Sequence, residues 1–368
     1  MKNIKDSIVG ITMDLIKIQS VAADKQALDA TIEYVKNYFR GYENVYEYEF
    51  NGKKSIVIQN CKGKKLDVLF NGHLDVVPGK VEQYDPFVQG DKLFGRGALD
   101  MKSGNAIMMV LMKELLEEGF QGKKVGLMLN TDEEIGGING VEKLVNQEGY
   151  SGKVVIIPDG GSLNNIVYAE KGPIHLTVEA NGISSHASRP WKGQNAMDLL
   201  IMFYDQLKSA LENPEMMKKS KSYWTTTVNL TNVECNSGAV NIIPSKATGN
   251  FDIRYTQNYS HKKIYSIVKK LAKKYNITIV KFLHGSPLFS DPQNKYIKKY
   301  LQISKELIGK EVKLIKDHVA SDGRFFGSKG SVVLLHQPNG ENLHTDGEYS
   351  EISSYEKIYQ VYKEFVVK

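Results

Sequence analysis

Three short apolar runs each end in residues able to bind a metal or move a proton. Residues 66–70 lead into Asn71-Gly72-His73-Leu74-Asp75, residues 125–129 into Thr131-Asp132-Glu133-Glu134, and residues 154–157 into Pro158-Asp159-Gly160-Gly161. Read as buried parallel strands, they deliver these side chains to one crevice, because the carboxyl ends of strands in an open α/β sheet border the ligand site. Asp100, in Gly95-Arg96-Gly97-Ala98-Leu99-Asp100 just ahead of a helix starting near Ser103, joins the same group. A single acid after a strand is ordinarily a cap or a turn residue. Several in one crevice repel, and must take up protons or share a cation. His73 with Asp100, Glu134 and Asp159 offers nitrogen and oxygen donors that suit zinc, with cobalt or manganese as substitutes. The surplus of carboxylates over the needs of one ion points to two ions bridged by one acid. The two cysteines, Cys61 and Cys235, lack ligand spacing and read as buried free thiols of a reducing compartment. The chain has no His-Glu-x-x-His helix, which removes the common mononuclear protease arrangement.

The elements that must carry these residues follow from periodicity. Ile4, Ile8, Ile11 and Leu15 form one helical face, and Leu28, Ile32, Val35 and Phe39 another. Beyond them, apolar runs alternate with helix-length segments at residues 103–118, stopped by Gly119, and 138–148. Such alternation predicts a mostly parallel sheet with helices on both faces. From about residue 174 the order changes to strand (175–181), helix (194–211), strand (225–233), strand (247–255), helix (261–275) and strand (277–283). That β-α-β-β-α-β order is the one of a ferredoxin-like two-layer unit. After Pro287 the α/β pattern resumes with a helix at 296–308, a strand at 332–335 and a helix at 352–366. We therefore expect a larger domain from residues 1–174 and 287–368, with a smaller one, 175–286, inserted into it.

The combination of motifs resembles the di-zinc amidohydrolases, the relatives of acetylornithine deacetylase, succinyl-diaminopimelate desuccinylase, carboxypeptidase G, aminoacylase and peptidase T. It is carried by His73-Leu74-Asp75, the segment Gly95-Arg96-Gly97-Ala98-Leu99-Asp100-Met101-Lys102-Ser103-Gly104, the Glu133-Glu134 pair, Asp159 and a late His344, and runs from about residue 5 to the C-terminus. The resemblance implies that His73 and Asp159 complete one zinc site, Glu134 and His344 the other, and that Asp100 bridges them across a cis Asp100–Met101 peptide. It implies that Asp75 hydrogen-bonds the His73 ring and fixes its tautomer, and that Glu133 is the general base. It also implies that the inserted domain is a lid and dimerisation module. Ser185-His186-Ala187-Ser188 would send His186 to the oxyanion in the partner subunit, while Asn241 and Arg254 would clamp the substrate carboxylate. Asp159 stands where the desuccinylase and deacetylase pattern has Glu; Asp is usual in the aminopeptidase and dipeptidase branch. The segment Ser321-Asp322-Gly323-Arg324-Phe325-Phe326, in contrast, resembles a substrate-side loop of the deacylases.

The expected activity is hydrolysis of the amide bond of a small N-acyl amino acid or a short peptide. The alternatives are a di- or tripeptidase or aminopeptidase of the same family and, further off, a zinc-binding protein without catalysis, which the intact Glu133 and ligand set oppose. Composition removes other classes. The chain of 368 residues is 41% hydrophobic and 24% charged, which excludes wholesale disorder. No apolar run reaches the 18 or so residues of a membrane span, and the N-terminal segment lacks a continuous apolar block, so we expect a cytoplasmic protein without a membrane partner. The formal net charge is +6. Six lysines between 262 and 274 lie opposite an apolar stripe of Ile264, Ile267, Val268, Leu271 and Tyr275, which marks a solvated face and no nucleic-acid site. Gly95-Arg96-Gly97 is no dinucleotide fingerprint, since Asp100 takes the place of the third glycine. His175 and His261 read as structural or solvated; His284, His318 and His336 lie in loops or at strand ends. Only five arginines occur, and Arg96, Arg189, Arg254 and Arg324 all fall inside the motif segments, Arg40 alone outside them. Arginine's planar fork makes them candidates for holding those loops.

Overall fold

The computed structural model describes residues 3–212, 223–309 and 311–368. Two amphipathic helices, Ile4–Lys17 and Lys25–Tyr38, open the chain. Asn3 and Asp24 cap them by accepting the main-chain N–H of Lys5 and Ala27, a contribution of about 1 kcal/mol each. Ile8, Ile11 and Leu15 of the first, and Leu28, Ile32 and Val35 of the second, are buried.

The chain divides into two compact units, the first made of Met1–Ala169, Phe289–Asp317 and Ser321–Lys368, the second of Glu170–Leu288 with His318–Ala320. The centre of the first unit is a set of parallel strands: Val125–Asn130, Lys65–His73, Ser151–Ile157 and Val332–Leu335, in that spatial order. Phe70, Leu127, Ile156 and Leu334 are at most 1% exposed, as strands covered on both faces require. Antiparallel strands flank them, Lys53–Gln59 on one side and Asn165–Glu170 on the other. Lys53–Gln59 pairs with Val45–Phe50 around Asn51 and Gly52, both at positive φ (50° and 75°). Asn-Gly is the strongest two-residue hairpin signal, and here it closes a hairpin that lies outside the expected elements. The helix Ser103–Glu117 begins where expected. The one expected at 138–148 is shorter, Val141–Asn146, because the Asp132 carboxylate binds the N–H groups of Asn139 and Gly140 and holds them in a turn.

In the second unit the strands Thr227–Glu234, Lys246–Tyr255, Gly172–Asn181 and Ile277–His284 form an antiparallel sheet in that order. Strict alternation along Gly172–Asn181 turns Ile174, Leu176, Val178 and Ala180 inward, where they pack with Leu200, Phe203 and Leu207 of the helix Ala196–Leu211 and Ile264 and Val268 of His261–Lys274. The lysine-rich helix therefore buries its apolar stripe. Neither cysteine is buried as expected: Cys61 is half-buried and Cys235 exposed, and both are free. Among the described residues, no helix is long and apolar enough to cross a membrane.

Candidate active site

The parallel register of the central strands sends their carboxyl ends to one edge, and the chemistry-bearing residues meet there. His73 ends the strand Lys65–His73; Glu133 and Glu134 form a single 3-10 turn just past Val125–Asn130; Asp159 follows Ser151–Ile157. Asp100 stands in the turn before Ser103–Glu117, and its peptide bond to Met101 is cis, as the resemblance implied. His344 comes from a loop near the end of the chain.

Asp100 is the pivot. Its Oδ1 lies 3.0 Å from His73 Nε2 and its Oδ2 lies 2.9 Å from His344 Nε2. Asp159 is 4.0 Å from His73 Nε2, and Glu134 is 3.3 Å from His344 Nε2. Ligand atoms of His73, Asp100 and Glu134 lie within 4.8 Å of one another, as do those of His73, Glu133 and Asp159. Burial raises the Asp159 carboxyl to about 8, helped by the charge of Asp100. Glu133 is raised by burial and then by Asp322. Burial would raise Asp100 too, but hydrogen bonds from His344 and His73 hold it below the usual carboxylate range. The same carboxylates, Asp100 first and then Glu134, lift His344 to about 10. The cluster is thus short of positive charge, and a proton or a cation must sit between each histidine and Asp100. Imidazole nitrogen with carboxylate oxygens is a donor set that fits zinc.

Asp75 is the hydrogen-bond partner of the His73 ring through its main chain. The His73 Nδ1 hydrogen bond goes to the main-chain carbonyl of Asp75 at 2.9 Å, while the carboxylate stays at 3.6 Å, beyond hydrogen-bond reach. Two residues past the histidine on an extended chain, the carbonyl is the nearer group. A Nδ1–H donated to it still leaves the Nε2 lone pair aimed at Asp100 and Asp159. The Asp75 carboxylate instead accepts the N–H groups of Glu133 at 3.3 Å and Glu134 at 3.0 Å, so it fixes the turn that carries both glutamates.

Arginines hold this turn and the one bearing Asp100. Arg324 donates to the carbonyls of Gly136 at 2.7 Å and Ser321 at 2.9 Å, and Asp322 accepts from Asn130. Arg96 is paired with buried Glu348. Two residues with no expected role complete the frame. Lys102, fully buried, donates to the carbonyls of Leu15 and Ile18, each at 2.9 Å, and burial pulls its ammonium down to about 7. Glu348 collects the main-chain N–H groups of the Asp100 turn. Its place four residues after His344 was the available signal.

His186, Asn241 and Arg254 belong to the second unit. His186 is exposed; its Nδ1 is 2.7 Å from the Ser188 hydroxyl and its Nε2 is 3.4 Å from the Asn241 amide. Arg254 already holds a carboxylate, donating through Nε and Nη2 to Asp252 at 2.8 and 3.0 Å. His336 is buried between Tyr300 and the Leu163 carbonyl, His284 stacks on His261, and His318 lies beside the Trp224 ring.

Residues 69–368 match the model of Peptidase family M20/M25/M40. The chain belongs to this family. A curated M20 relative, the succinyl-diaminopimelate desuccinylase of Rickettsia rickettsii, is 25% identical over 390 residues, covering 96% of this chain and 98% of that protein. Among solved structures, a tripeptidase from Staphylococcus aureus superposes with a TM-score of 0.76 at 17% identity, covering 99% of this chain and 98% of its own. An M20 metallo-carboxypeptidase from Sulfolobus solfataricus gives 0.76 at 20% identity, covering 98% and 99%. These likenesses show a shared fold, and membership of the M20 family makes the chain a hydrolase with a metal-binding cluster.

Proposed function

We propose that this M20 hydrolase cleaves the amide bond of a small N-acyl amino acid with two zinc ions, cobalt or manganese serving as substitutes. The observation that carries the reading is the Asp100 carboxylate set between two histidines, one oxygen to each, with further carboxylates behind both. His73 and Asp159 would hold one ion, Glu134 and His344 the other, and Asp100 both. The ions supply Lewis acidity toward the amide carbonyl and toward water. The chain does the rest. The Glu133 carboxylate takes the proton of the attacking water and passes it to the leaving nitrogen; burial and the neighbouring acids give it the proton affinity this needs. Asp75 keeps Glu133 in register through its N–H.

The second unit would act as a lid and a dimerisation module, with Arg254 and Asn241 on the substrate carboxylate and His186 on the oxyanion in the partner subunit of a homodimer. Two free thiols suit a cytoplasmic enzyme. Mixing inactive Glu133→Gln subunits with inactive His186→Ala subunits is expected to restore part of the activity. No recovery, with mixed dimers shown to form, refutes action across the dimer.

A metal-loaded assay on N-succinyl-diaminopimelate, N-acetylornithine, other N-acetyl amino acids, dipeptides and tripeptides tests the substrate class. We expect turnover of the N-acyl amino acids and a steep rise in KM when their carboxylate is capped as an amide. Turnover confined to free-amine peptides selects the second reading, a di- or tripeptidase, which Asp159 and the tripeptidase fold likeness favour.

A further inference from the structure

We infer that Glu348 is a positioning residue for the metal centre: its carboxylate fixes the turn that presents Asp100 and joins it to the segment that presents His344. The inference rests on the two-ion reading above.

Glu348 is 1% exposed. Its Oε2 accepts from Arg96 Nη1 at 2.6 Å and from the Gly97 N–H at 3.0 Å; its Oε1 accepts from the Leu99 N–H at 3.0 Å and the Asp100 N–H at 3.1 Å. Four donors from five consecutive residues thus converge on one carboxylate. Gly97, at φ 85°, supplies the left-handed bend that lets the chain curl around it. Only a carboxylate has acceptor sites for this many donors. A glutamine offers one oxygen and turns an amide donor toward two of them.

The anchoring is specific to the site. The strands Lys92–Phe94 and Tyr349–Glu351 pair antiparallel, and the Gly95 N–H continues the ladder to the Glu348 carbonyl at 3.1 Å. Glu348 therefore stands where the pairing stops and the Asp100 turn starts, four residues after His344. Lys102, two residues past Asp100, ties the other end of the turn to the carbonyls of Leu15 and Ile18. Asp100 is held between these two anchors, and its own N–H is among the four donors. A carboxylate that must face both His73 and His344 needs its main chain placed to within a fraction of an ångström.

The test compares Glu348→Gln and Glu348→Asp with the native chain. Zinc affinity is read by competition with a chromogenic chelator, the ligand field by the cobalt absorption spectrum, and kcat and KM separately, with thermal unfolding as control. We expect Glu348→Gln to fold, bind at least one zinc about 10–100-fold more weakly, shift the cobalt spectrum, and lower kcat with KM within about twofold. Glu348→Asp, which keeps the acceptor sites on a shorter stem, should recover part of the affinity. If the glutamine variant does not fold, the aspartate variant alone must show weakened zinc binding in a folded protein. Native zinc affinity and cobalt spectrum in a folded variant, with heat stability alone reduced, overturn the inference. If the native chain binds fewer than two ions or keeps its activity after chelation, the two-ion reading itself fails and the inference with it.

Discussion

Glu133→Gln is expected to leave the metal centre loaded and to lower kcat by about 10²–10⁴-fold, the usual share of a general base. The glutamine has the same shape, and the N–H of residue 133 keeps its bond to Asp75. What is lost is the group proposed to accept the proton of water. Glu133 is suited to that task because burial and then the charge of Asp322 raise its proton affinity, while His73 opposes them. Since Glu133 is not among the proposed metal ligands, metal content and KM should change little. Metal analysis of the dialysed variant beside steady-state kinetics decides the matter. Ordinary turnover with full metal content ends the claim that Glu133 is the base.

Asp100→Asn should do the opposite and empty the site. Among the described residues, Asp100 alone touches both histidines, through different oxygens at 3.0 and 2.9 Å. Asparagine keeps the volume, removes the charge, and turns an amide donor toward one of the two positions. Two unit charges 4 Å apart at an effective dielectric constant of 20 interact by about 4 kcal/mol, which corresponds to roughly 10³-fold. Zinc retained per chain after dialysis should therefore fall, and kcat/KM should drop by on the order of 10³-fold at limiting metal. Circular dichroism should show the fold intact. Full retention of both ions in the asparagine variant contradicts the bridging role, while loss of metal here and not in Glu133→Gln separates ligand from base.

What the sequence revealed depended on how local each signal was. His73, the Glu133-Glu134 pair and Asp159 could be read because each follows its own apolar run, and parallel strands put their carboxyl ends on one edge. Asp100 could be read from the helix start behind it. His344 follows no such run, and only the resemblance pointed to it. Asp75 could be read as the partner of the His73 ring, but not which of its groups bonds: carbonyl and carboxylate compete at the same spacing, and the choice depends on the Glu133 turn, which is remote in sequence. Arg254 is expected on the substrate carboxylate, and what no periodicity records is that Asp252, two residues back on the same strand, takes its Nε and Nη2. The helix before Asn146 lost its first turn to Asp132, again through side-chain bonds to main-chain N–H groups that no periodicity records. Glu348 was the least visible of all, because its partners are mostly backbone donors.

Those donors lie 248 to 252 positions upstream of the carboxylate that gathers them. Contacts of such separation form late, since the loop-closure entropy must be met before they contribute. During synthesis the strands ending in His73, Glu133 and Asp159 can pair while the Asp100 turn still lacks its centre. Under the proposed two-ion reading the donor set is therefore complete only when the segment around 344–348 has emerged and docked, so that a partly made chain carries acids and a histidine without the finished metal site.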